Sequence, residues 1–210
     1  NPAAGSSSGA SLDALTQEFP GRSFEIVQTA GPGGGLDAAR ALLGMGTREI
    51  WVLGGDGTLS EVAQVWLGEL RSEAEQAVWG LVPTGRGNDF FRGLLWADQG
   101  ARPPSDSLRG QAIARLKSGR TSQIDLVKLD FLDAQQSSLG SRIWLNVASG
   151  GYGGEVVRRV VHPSALSRWL KPILKRGIYL YETVAGGATF KPEEVALRIE
   201  GEDVFMGRWN

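Results

Sequence analysis

The chain has 210 residues, with 22 basic against 23 acidic residues, 41% hydrophobic residues, 30 glycines and no cysteine. The length allows one large domain or two small ones. A formal net charge of −1 argues against a generally basic nucleic-acid binder, so no nucleic-acid partner is expected. The lack of cysteine excludes disulfide scaffolds, Cys-ligated zinc and thiol nucleophiles, and a single histidine, His162, excludes His-rich metal sites. No apolar stretch approaches the roughly 18 to 20 residues of a membrane-spanning helix.

The first half of the chain alternates strand-like and helix-like patterns. Apolar residues at helical spacing predict a short helix over residues 36–43 and another helix from Thr58 onward. Three runs predict strands, at residues 23–29, 49–53 and 77–82. Strands that alternate with helices indicate an α/β layer built on a parallel sheet.

The second half has a different texture. Residues 98–109 contain a Pro103-Pro104 pair and are typical of a linker. Strand-like segments follow at residues 121–131, 141–148, 195–200 and 204–209, and residues 164–185 predict one or two helices. Successive strands favour a mostly antiparallel, β-rich second domain. We therefore expect an α/β domain over residues 1–97 and a β-rich domain over residues 98–210, truncated at its C-terminal end.

Gly-rich turns follow apolar strands at three places. Gly54-Gly55-Asp56-Gly57-Thr58 lies between a predicted strand and a predicted helix, and Pro83-Thr84-Gly85-Arg86-Gly87-Asn88-Asp89-Phe90 follows the next strand. Asn1-Pro2-Ala3-Ala4-Gly5 is the third, and its strand would lie before residue 1. Ligands of open parallel sheets bind at the carboxyl ends of the strands. Three such turns at one edge favour a shared phosphate site.

Each turn also has a plain structural interpretation. Glycine lets the backbone approach a ligand closely, and a helix N-terminus offers free N–H groups to a phosphate. Asp56 then makes sense as a carboxylate that holds Mg²⁺ or a nucleotide hydroxyl. The alternative is a tight turn in which Asp56 caps a helix. Similarly, Asn88 or Asp89 could simply open a helix, and the first turn could be a disordered terminus.

The order and spacing of these motifs, together with Glu61, resemble the diacylglycerol kinase catalytic domain, a superfamily that includes bacterial soluble lipid kinases and sphingosine kinases. Gln123-Ile124-Asp125-Leu126 is similar to the Asp-bearing strand of the family. The segment from Asn146 to Gly153 is similar to its Asn-x-x-x-Gly motif. The resemblance spans about residues 1 to 155. It implies an α/β nucleotide-binding domain followed by an antiparallel β-rich lipid domain, as in NAD kinases and diacylglycerol kinases.

The resemblance implies ATP-dependent transfer of the γ-phosphoryl group to a lipid hydroxyl such as that of diacylglycerol, with ATP and Mg²⁺ as cofactors and a role in phospholipid biosynthesis. The implied catalytic set is acidic: Asp56, Asp89 and Asp125, of which Asp56 and Asp125 organise the metal through water. The implied nucleotide-binding set comprises Asn1, Thr29, Gly54, Gly55, Gly57, Thr58, Glu61, Gly85, Arg86, Gly87 and Asn88.

The sequence departs from the family pattern at two points. Arg86 stands where the family usually has Thr; it could contact a phosphate bidentately or point to solvent. The acidic residue that serves the family as general base lies beyond the last residue given, so the base is expected outside this chain. Two other functions stay open: a non-catalytic nucleotide- or lipid-binding relative, and an NAD kinase, which shares the Gly54–Thr58 turn.

A lipid kinase must reach its acceptor in a bilayer. The segment from Arg158 to Arg176 has six basic residues and no acidic one, with Trp169, Leu170, Ile173 and Leu174 among them. Such a basic, partly apolar segment predicts reversible contact with an anionic membrane surface. The alternative is a solvated helix face with Trp169 in the core. We expect a cytoplasmic enzyme that visits the membrane transiently, with a membrane lipid as substrate and a homodimer as a possible assembly.

Overall fold

The structure is a computed structural model that describes residues 8–100, 104, 107–133, 135–146, 151–165, 167–169, 177–187 and 189–209. Its α-helices are α1 (Ser8–Glu18), α2 (Gly34–Gly44), α3 (Asp56–Val62), α4 (Arg71–Gln76), α5 (Asp89–Gln99), α6 (Leu108–Ser118), α7 (Gly151–Val161) and α8 (Ile178–Gly187), and a 3-10 helix covers Ala63–Leu67. Its strands are β1 (Glu49–Gly54), β2 (Val78–Pro83), β3 (Val127–Leu132), β4 (Ser138–Trp144), β5 (Glu193–Ile199) and β6 (Glu202–Trp209).

The parallel arrangement expected in the first half is confirmed for one pair of strands. β1 and β2 pair in parallel, from Glu49 opposite Val78 to Gly54 opposite Pro83. Helix α2, the 3-10 helix and α4 pack on this pair and enclose an apolar core that includes Leu43, Val52 and Val65. A second small core joins α5 to α6 around Phe91 and Leu108. Both strands therefore end at one edge, where the two Gly-rich turns follow.

The strand predicted over residues 23–29 is absent, which corrects the sequence-based expectation. These residues lie outside any helix or strand. Ile26 and Val27 are 51% and 40% exposed, although the pattern predicts burial for at least one of them. A strand forms only where a neighbour accepts and donates its backbone hydrogen bonds, and no described strand pairs with this segment. The local pattern was present, but the partner was not.

Two compact units divide the chain, residues 1–146 and residues 147–210. The antiparallel hairpin β3–β4 belongs to the first unit because Gln64 holds it there. The Gln64 amide donates to the backbone oxygen of Ile143 at 2.9 Å and accepts from its N–H at 3.0 Å. The boundary between the two compact units, at residues 146 and 147, differs from the boundary at residues 97 and 98 that the sequence predicts. The predicted boundary concerns the two domains of the family and stays a prediction.

In the second unit, the described residues include the helices α7 and α8 and the hairpin β5–β6. The strand-like segments at residues 195–200 and 204–209 form β5 and β6, which pair as an antiparallel hairpin around Gly201. Helix α7 was not predicted, because glycines crowd its first turn and its apolar residues are mostly the β-branched valines that favour strands. It packs on α8, and its Tyr152 hydroxyl donates to the Thr183 backbone oxygen. Of the helices in the described ranges, none is long and apolar enough to cross a bilayer.

The two hydrogen bonds between the Gln64 side chain and the Ile143 backbone, called the Gln64 clip, predict a measurable effect on the free energy of unfolding. In Gln64→Leu, the two backbone groups of Ile143 lose their partners, which should lower the free energy of unfolding by about 1–3 kcal/mol. Gln76→Leu is the matched control, since Gln76 is exposed on α4 and its side chain bonds only Ser72; its cost should stay within about 0.5 kcal/mol. Urea unfolding measures both. Equal stability of the two variants would show that the clip does not hold the hairpin.

Candidate functional site

The turn after β1 places the Asp56 carboxylate against a different helix from its own. One carboxylate oxygen accepts the backbone N–H of Asp89 at 3.1 Å, and the other accepts that of Phe90 at 3.0 Å. These are free N–H groups of the first turn of α5, so Asp56 caps α5 from 33 residues away in sequence. Asp56 is therefore a helix cap, as the alternative interpretation proposes, but the helix that it caps is α5 and not its own helix α3.

The start of α3 is consequently left without a side-chain cap. Its N-cap is Gly55, which has no side chain to offer, and the Asp56 carboxylate is turned toward α5. The N–H groups of Asp56 and Gly57 have no recorded partner among the described residues. Uncapped N–H groups at the start of a helix are suited to an anion such as phosphate. The Asp56 carboxylate, whose negative charge would repel a phosphate at the start of α3, is directed toward α5.

The two Gly-rich turns are in direct backbone contact. A Cβ built on Gly55 would lie 2.9 Å from the Gly85 Cα, and a Cβ built on Gly85 would lie 2.6 Å from the Gly55 Cα. Contacts below 3 Å are sterically prohibitive, so no other residue fits either position without displacing backbone. The glycines at these two positions are required by this approach. The loop after β1 and the loop after β2 form one continuous surface as a result.

Asn88 fixes the shape of the second turn. Its side-chain amide donates to the Gly85 backbone oxygen at 2.7 Å, and its side-chain oxygen accepts the Gly85 N–H at 3.0 Å. Asn88 is buried and adopts a left-handed conformation with φ of 54°, which Asn tolerates better than most residues. The tip formed by Arg86 and Gly87 is left exposed. Arg86 has no recorded partner among the described residues, which leaves both of its predicted roles open.

Asn146 belongs to this site, although the sequence analysis assigned it no role. Its side-chain amide donates to the Asp56 carboxylate at 3.4 Å, across 90 residues of sequence. The resemblance of this segment to the Asn-x-x-x-Gly motif could have identified Asn146. The motif indicates the segment, but by itself it gives no role to the side chain. Residues 147–150 of that segment lie outside the described residues. The contact places the end of the β3–β4 hairpin beside the Gly54–Thr58 turn.

Glu61 also caps a neighbouring helix. Its carboxylate accepts the Gly35 N–H at 3.0 Å, in the first turn of α2. Nearby, the Thr29 Oγ1 is buried and makes no hydrogen bond within the described structure, and the same is true of the Thr84 Oγ1 in the second turn. Buried hydroxyls without partners are costly unless a ligand satisfies them. Thr29 and Thr84 are thus two candidate ligand contacts; the sequence resemblance had singled out only Thr29.

The other predicted residues are not gathered here. Asp125 is exposed and lies two residues ahead of β3, outside any strand, because the strand expected from residue 121 begins only at Val127. Among the residues that the structure describes, no three acidic or histidine side chains form a group that could hold a metal ion. The catalytic and metal roles of Asp56, Asp89 and Asp125 stay predictions. Asn1 falls outside the described residues.

The contact between the turns predicts opposite effects for two glycine substitutions. Gly85→Ala forces a methyl group against the Gly55 backbone and should lower the free energy of unfolding by about 1–3 kcal/mol. Gly93→Ala, in the middle of α5 with nothing within 4 Å of the added Cβ, should raise it by about 0.5–1 kcal/mol. Thermal or urea unfolding reports both values. A neutral Gly85→Ala would mean that the turns are not packed as described.

Known proteins share these motifs. The sequence profile of the diacylglycerol kinase catalytic domain matches residues 1–129. Among curated proteins, the chain is 34% identical over 111 residues to a probable lipid kinase YegS-like of Xanthomonas oryzae pv. oryzae (strain MAFF 311018), covering 53% of this chain and 31% of that protein. It is 29% identical over 171 residues to a protein of the same description from Chromohalobacter salexigens, covering 81% and 46%.

A third relative, again a probable lipid kinase YegS-like, comes from Pseudomonas fluorescens (strain Pf0-1) and is 28% identical over 139 residues, or 66% of this chain and 36% of that protein. The chain thus matches between 31% and 46% of the length of these relatives. No solved structure matches it. The profile match covers more than half of the chain and includes both Gly-rich turns described above. The chain belongs to the diacylglycerol kinase catalytic domain family, a family of lipid kinases.

Proposed function

We propose that the protein takes part in ATP-dependent transfer of a phosphoryl group to the hydroxyl of a lipid. One observation carries this proposal: the packed pair of glycine turns at the carboxyl ends of β1 and β2, with uncapped N–H groups beside it. Backbone this close to the surface, without side chains in the way, is what a polyphosphate chain requires. The family membership and the names of the relatives supply the chemical class of the reaction.

The described residues fit the phosphates of a nucleotide. The N–H groups at the start of α3 would donate to phosphate oxygens, and the buried hydroxyls of Thr29 and Thr84 would gain the partners they lack. Arg86, exposed at the tip of the second turn, would add charge-assisted bonds. This assignment keeps the nucleotide-binding set of the sequence analysis and adds Thr84. Asn1, which belongs to that set, is proposed by resemblance alone.

The role of Glu61 is refined by its contact. Because its carboxylate holds the first turn of α2, we assign it to positioning the segment that carries Gly35 and, just ahead of it, Thr29. It then affects nucleotide binding through that segment and not by touching the nucleotide. In the same way, Asn88 shapes the second turn from within and is not required to touch a phosphate.

A divalent metal is expected to arrive with the nucleotide. Mg²⁺ in phosphoryl-transfer sites is bound largely by substrate phosphates and water, with one or two carboxylates. The absence of a three-ligand cluster in the described part of the chain is compatible with that pattern, and Asp56 supplies a carboxylate in the first turn of α3. When bound, the metal would neutralise charge on the phosphates. Asp125 is kept as a proposed water-mediated contributor.

The acceptor is proposed as a lipid alcohol, with diacylglycerol as the leading member of the class. The proposal assigns no residue of this chain as the general base that deprotonates the acceptor hydroxyl. Phosphoryl transfer depends mainly on positioning and charge neutralisation, and the parts described here serve those two tasks. A nucleotide-binding relative without transferase activity would share the same turns, so the activity itself has to be measured.

The first test is phosphoryl transfer by the full-length protein. With radiolabelled ATP and a panel of lipid alcohols in mixed micelles, we expect label in at least one lipid. Asp56→Asn should lower kcat about a hundredfold or more, because the amide keeps the shape of the carboxylate and removes its charge. Asp13→Asn, an exposed change of the same kind on α1, should leave kcat unchanged.

Stability measurements on the same variants separate chemistry from folding. Asp56→Asn retains an oxygen that can accept one N–H of α5, so it should unfold at nearly the wild-type midpoint, whereas Asp56→Ala should lose about 0.5–2 kcal/mol. Wild-type kcat in a folded Asp56→Asn protein would remove Asp56 from the reaction. Nucleotide binding without label in any lipid would favour the non-catalytic relative.

Access to a bilayer acceptor is proposed through the second unit. Arg168 and Trp169 are exposed, Trp169 by 68%, so the alternative in which Trp169 lies in the core is not what the structure shows. Lys171, Lys175 and Arg176, which belong to the same predicted segment, lie outside the described residues. One carboxylate already offsets part of the charge of the two arginines at its start: Glu155 accepts hydrogen bonds from Arg158 and Arg159, which lower its pKa to about 2.

This pairing predicts opposite effects of two charge changes on membrane binding. Since Glu155 stays ionised down to about pH 2, Glu155→Gln is needed to release Arg158 and Arg159, and it should raise affinity for anionic vesicles several-fold. Arg168→Glu should lower it several-fold, while Arg120→Glu, the same change in a loop of the first unit, should have a smaller effect. Vesicle sedimentation at low and high salt measures all three. Equal binding of the Arg168 and Arg120 variants would remove this surface from the proposal.

A further inference from the structure

The Asp56 carboxylate is nearly saturated with hydrogen bonds from the protein. A carboxylate has two oxygens, which together accept about four hydrogen bonds. The Asp56 Oδ1 accepts the Phe90 N–H at 3.0 Å and the Asn146 side-chain amide at 3.4 Å. The Oδ2 accepts the Asp89 N–H at 3.1 Å. Within the described residues, Oδ1 is therefore fully occupied, and Oδ2 keeps one position open.

The oxygen with the open position lies beside Gly87. A Cβ built on Gly87 would lie 3.3 Å from the Asp56 Oδ2 and 3.2 Å from the Asp89 Oδ2, so two carboxylate oxygens border one small space. The φ angle of Gly87 is not positive, so the backbone conformation does not require glycine there. What glycine contributes is the missing side chain. Two neighbouring carboxylates are favourable only with a cation or a hydrogen-bond donor between them.

The Asn146 side chain decides which oxygen of Asp56 stays open. An amide has a donor end and an acceptor end, and only the nitrogen can face a carboxylate without repulsion. With that nitrogen on Oδ1, the carboxylate cannot rotate without giving up a donor. Without it, each oxygen would hold one N–H of α5 and would keep one open position. The Asn146 contact thus makes the two oxygens of Asp56 unequal.

Asn146 is held in place by the chain that carries it. Ile143, three residues earlier on β4, is fixed by the Gln64 clip. Asp56 begins α3, and Gln64 lies in the 3-10 helix that directly follows α3. Eight residues of helix span about 12 Å, and three residues of extended chain span about 10 Å. Because the two spans match, the end of β4 runs along α3 toward its first turn and delivers Asn146 there.

We propose that Asn146 is a positioning residue that acts through Asp56. By occupying Oδ1, it leaves Oδ2 as the oxygen that Asp56 offers to a cation or donor group in the space beside Gly87. Asn146 itself touches neither nucleotide nor acceptor. The inference rests on the proposed function, because it concerns how the carboxylate is presented to the metal that accompanies the nucleotide. Outer contacts of this kind orient the groups that meet a metal.

The first test is an amide NMR comparison of the ligand-free, full-length protein. Asn146→Leu keeps the shape of the side chain and removes its donor. The Phe90 N–H then has Oδ1 to itself, so its signal should move downfield, and the Asp89 N–H signal should move less. Asn146→Gln retains an amide donor and should keep the Phe90 signal near its wild-type position. Gln76→Leu, an exposed change on α4, should move neither signal.

The second test measures how much Mg²⁺ half-saturates the binding of a non-hydrolysable ATP analogue, by calorimetry. Asn146→Leu should raise that Mg²⁺ concentration about tenfold, and binding of the analogue without Mg²⁺ should stay unchanged. Gly87→Ala should also raise it, because the methyl group enters the space between the two carboxylates. The Phe90 signal should nevertheless stay in place in Gly87→Ala, since the Oδ1 contacts are retained. Gln76→Leu should leave the Mg²⁺ requirement unchanged.

Two results would overturn the proposal. Equal shifts of the Asp89 and Phe90 signals in Asn146→Leu, or no shift of either, would show that the amide does not occupy Oδ1. An unchanged Mg²⁺ requirement in that variant would show that the contact does not position Asp56. A wild-type protein that binds no nucleotide would count against the proposed function, and the NMR comparison would still decide the Asn146 contact. If Asn146→Leu fails to fold, Asn146→Ala removes the same donor and is judged by the same results.

Discussion

The approach of two glycines, Gly55 and Gly85, is the constraint on which the rest of the site depends. It brings the loops after β1 and β2 into backbone contact, and only then can the Asp56 carboxylate reach the first N–H groups of α5. That carboxylate also receives the Asn146 amide from the β3–β4 hairpin. One side chain therefore joins three segments that are far apart in sequence.

The same contact decides what the surface can bind. With Asp56 turned toward α5, the first N–H groups of α3 are left without a side-chain cap, and the two glycines leave the backbone accessible. A larger residue at either position would separate the turns and cover the N–H groups. Close backbone packing and accessible N–H groups thus require glycine at the same positions. A phosphate site and a tightly packed turn therefore look alike in sequence. The family assignment is what favours the phosphate site that we propose, since local geometry alone does not separate the two.

Much of the first unit could be predicted because its signals are local. The buried runs of β1 and β2 and the apolar spacing of α2 depend on neighbours in sequence, and each appeared where expected. The strand at residues 23–29 failed for the opposite reason: its pattern is right, but a strand needs a partner, and the sequence of one segment does not reveal whether a partner is in place. Helix α7 was not predicted, because its glycines and valines have low helix propensity and the helix is stabilised by packing on α8.

The sequence predicted which residues belong to the site better than it predicted the contacts that those residues make. The Gly-rich motifs marked the correct turns, yet nothing in the sequence shows that Asp56 caps α5 or that Glu61 caps α2, since both are contacts across more than 25 residues. Thr84 and Asn146 gained their importance only from burial and distance. The metal role of Asp56, Asp89 and Asp125 stays a prediction; the described residues show the Asp56 carboxylate bound to N–H groups of α5 and the Glu61 carboxylate bound to the Gly35 N–H.

The central claim is that the paired turns bind the phosphates of a nucleotide, and an NMR titration of the chain with Mg²⁺ and a non-hydrolysable ATP analogue tests it most directly. The account predicts saturable shifts of the backbone N–H signals of Asp56, Gly57, Gly85 and Arg86, larger than those elsewhere and reduced when AMP replaces the triphosphate. Shifts confined to other parts of the chain, or none at all at these four residues while nucleotide binds, would contradict it.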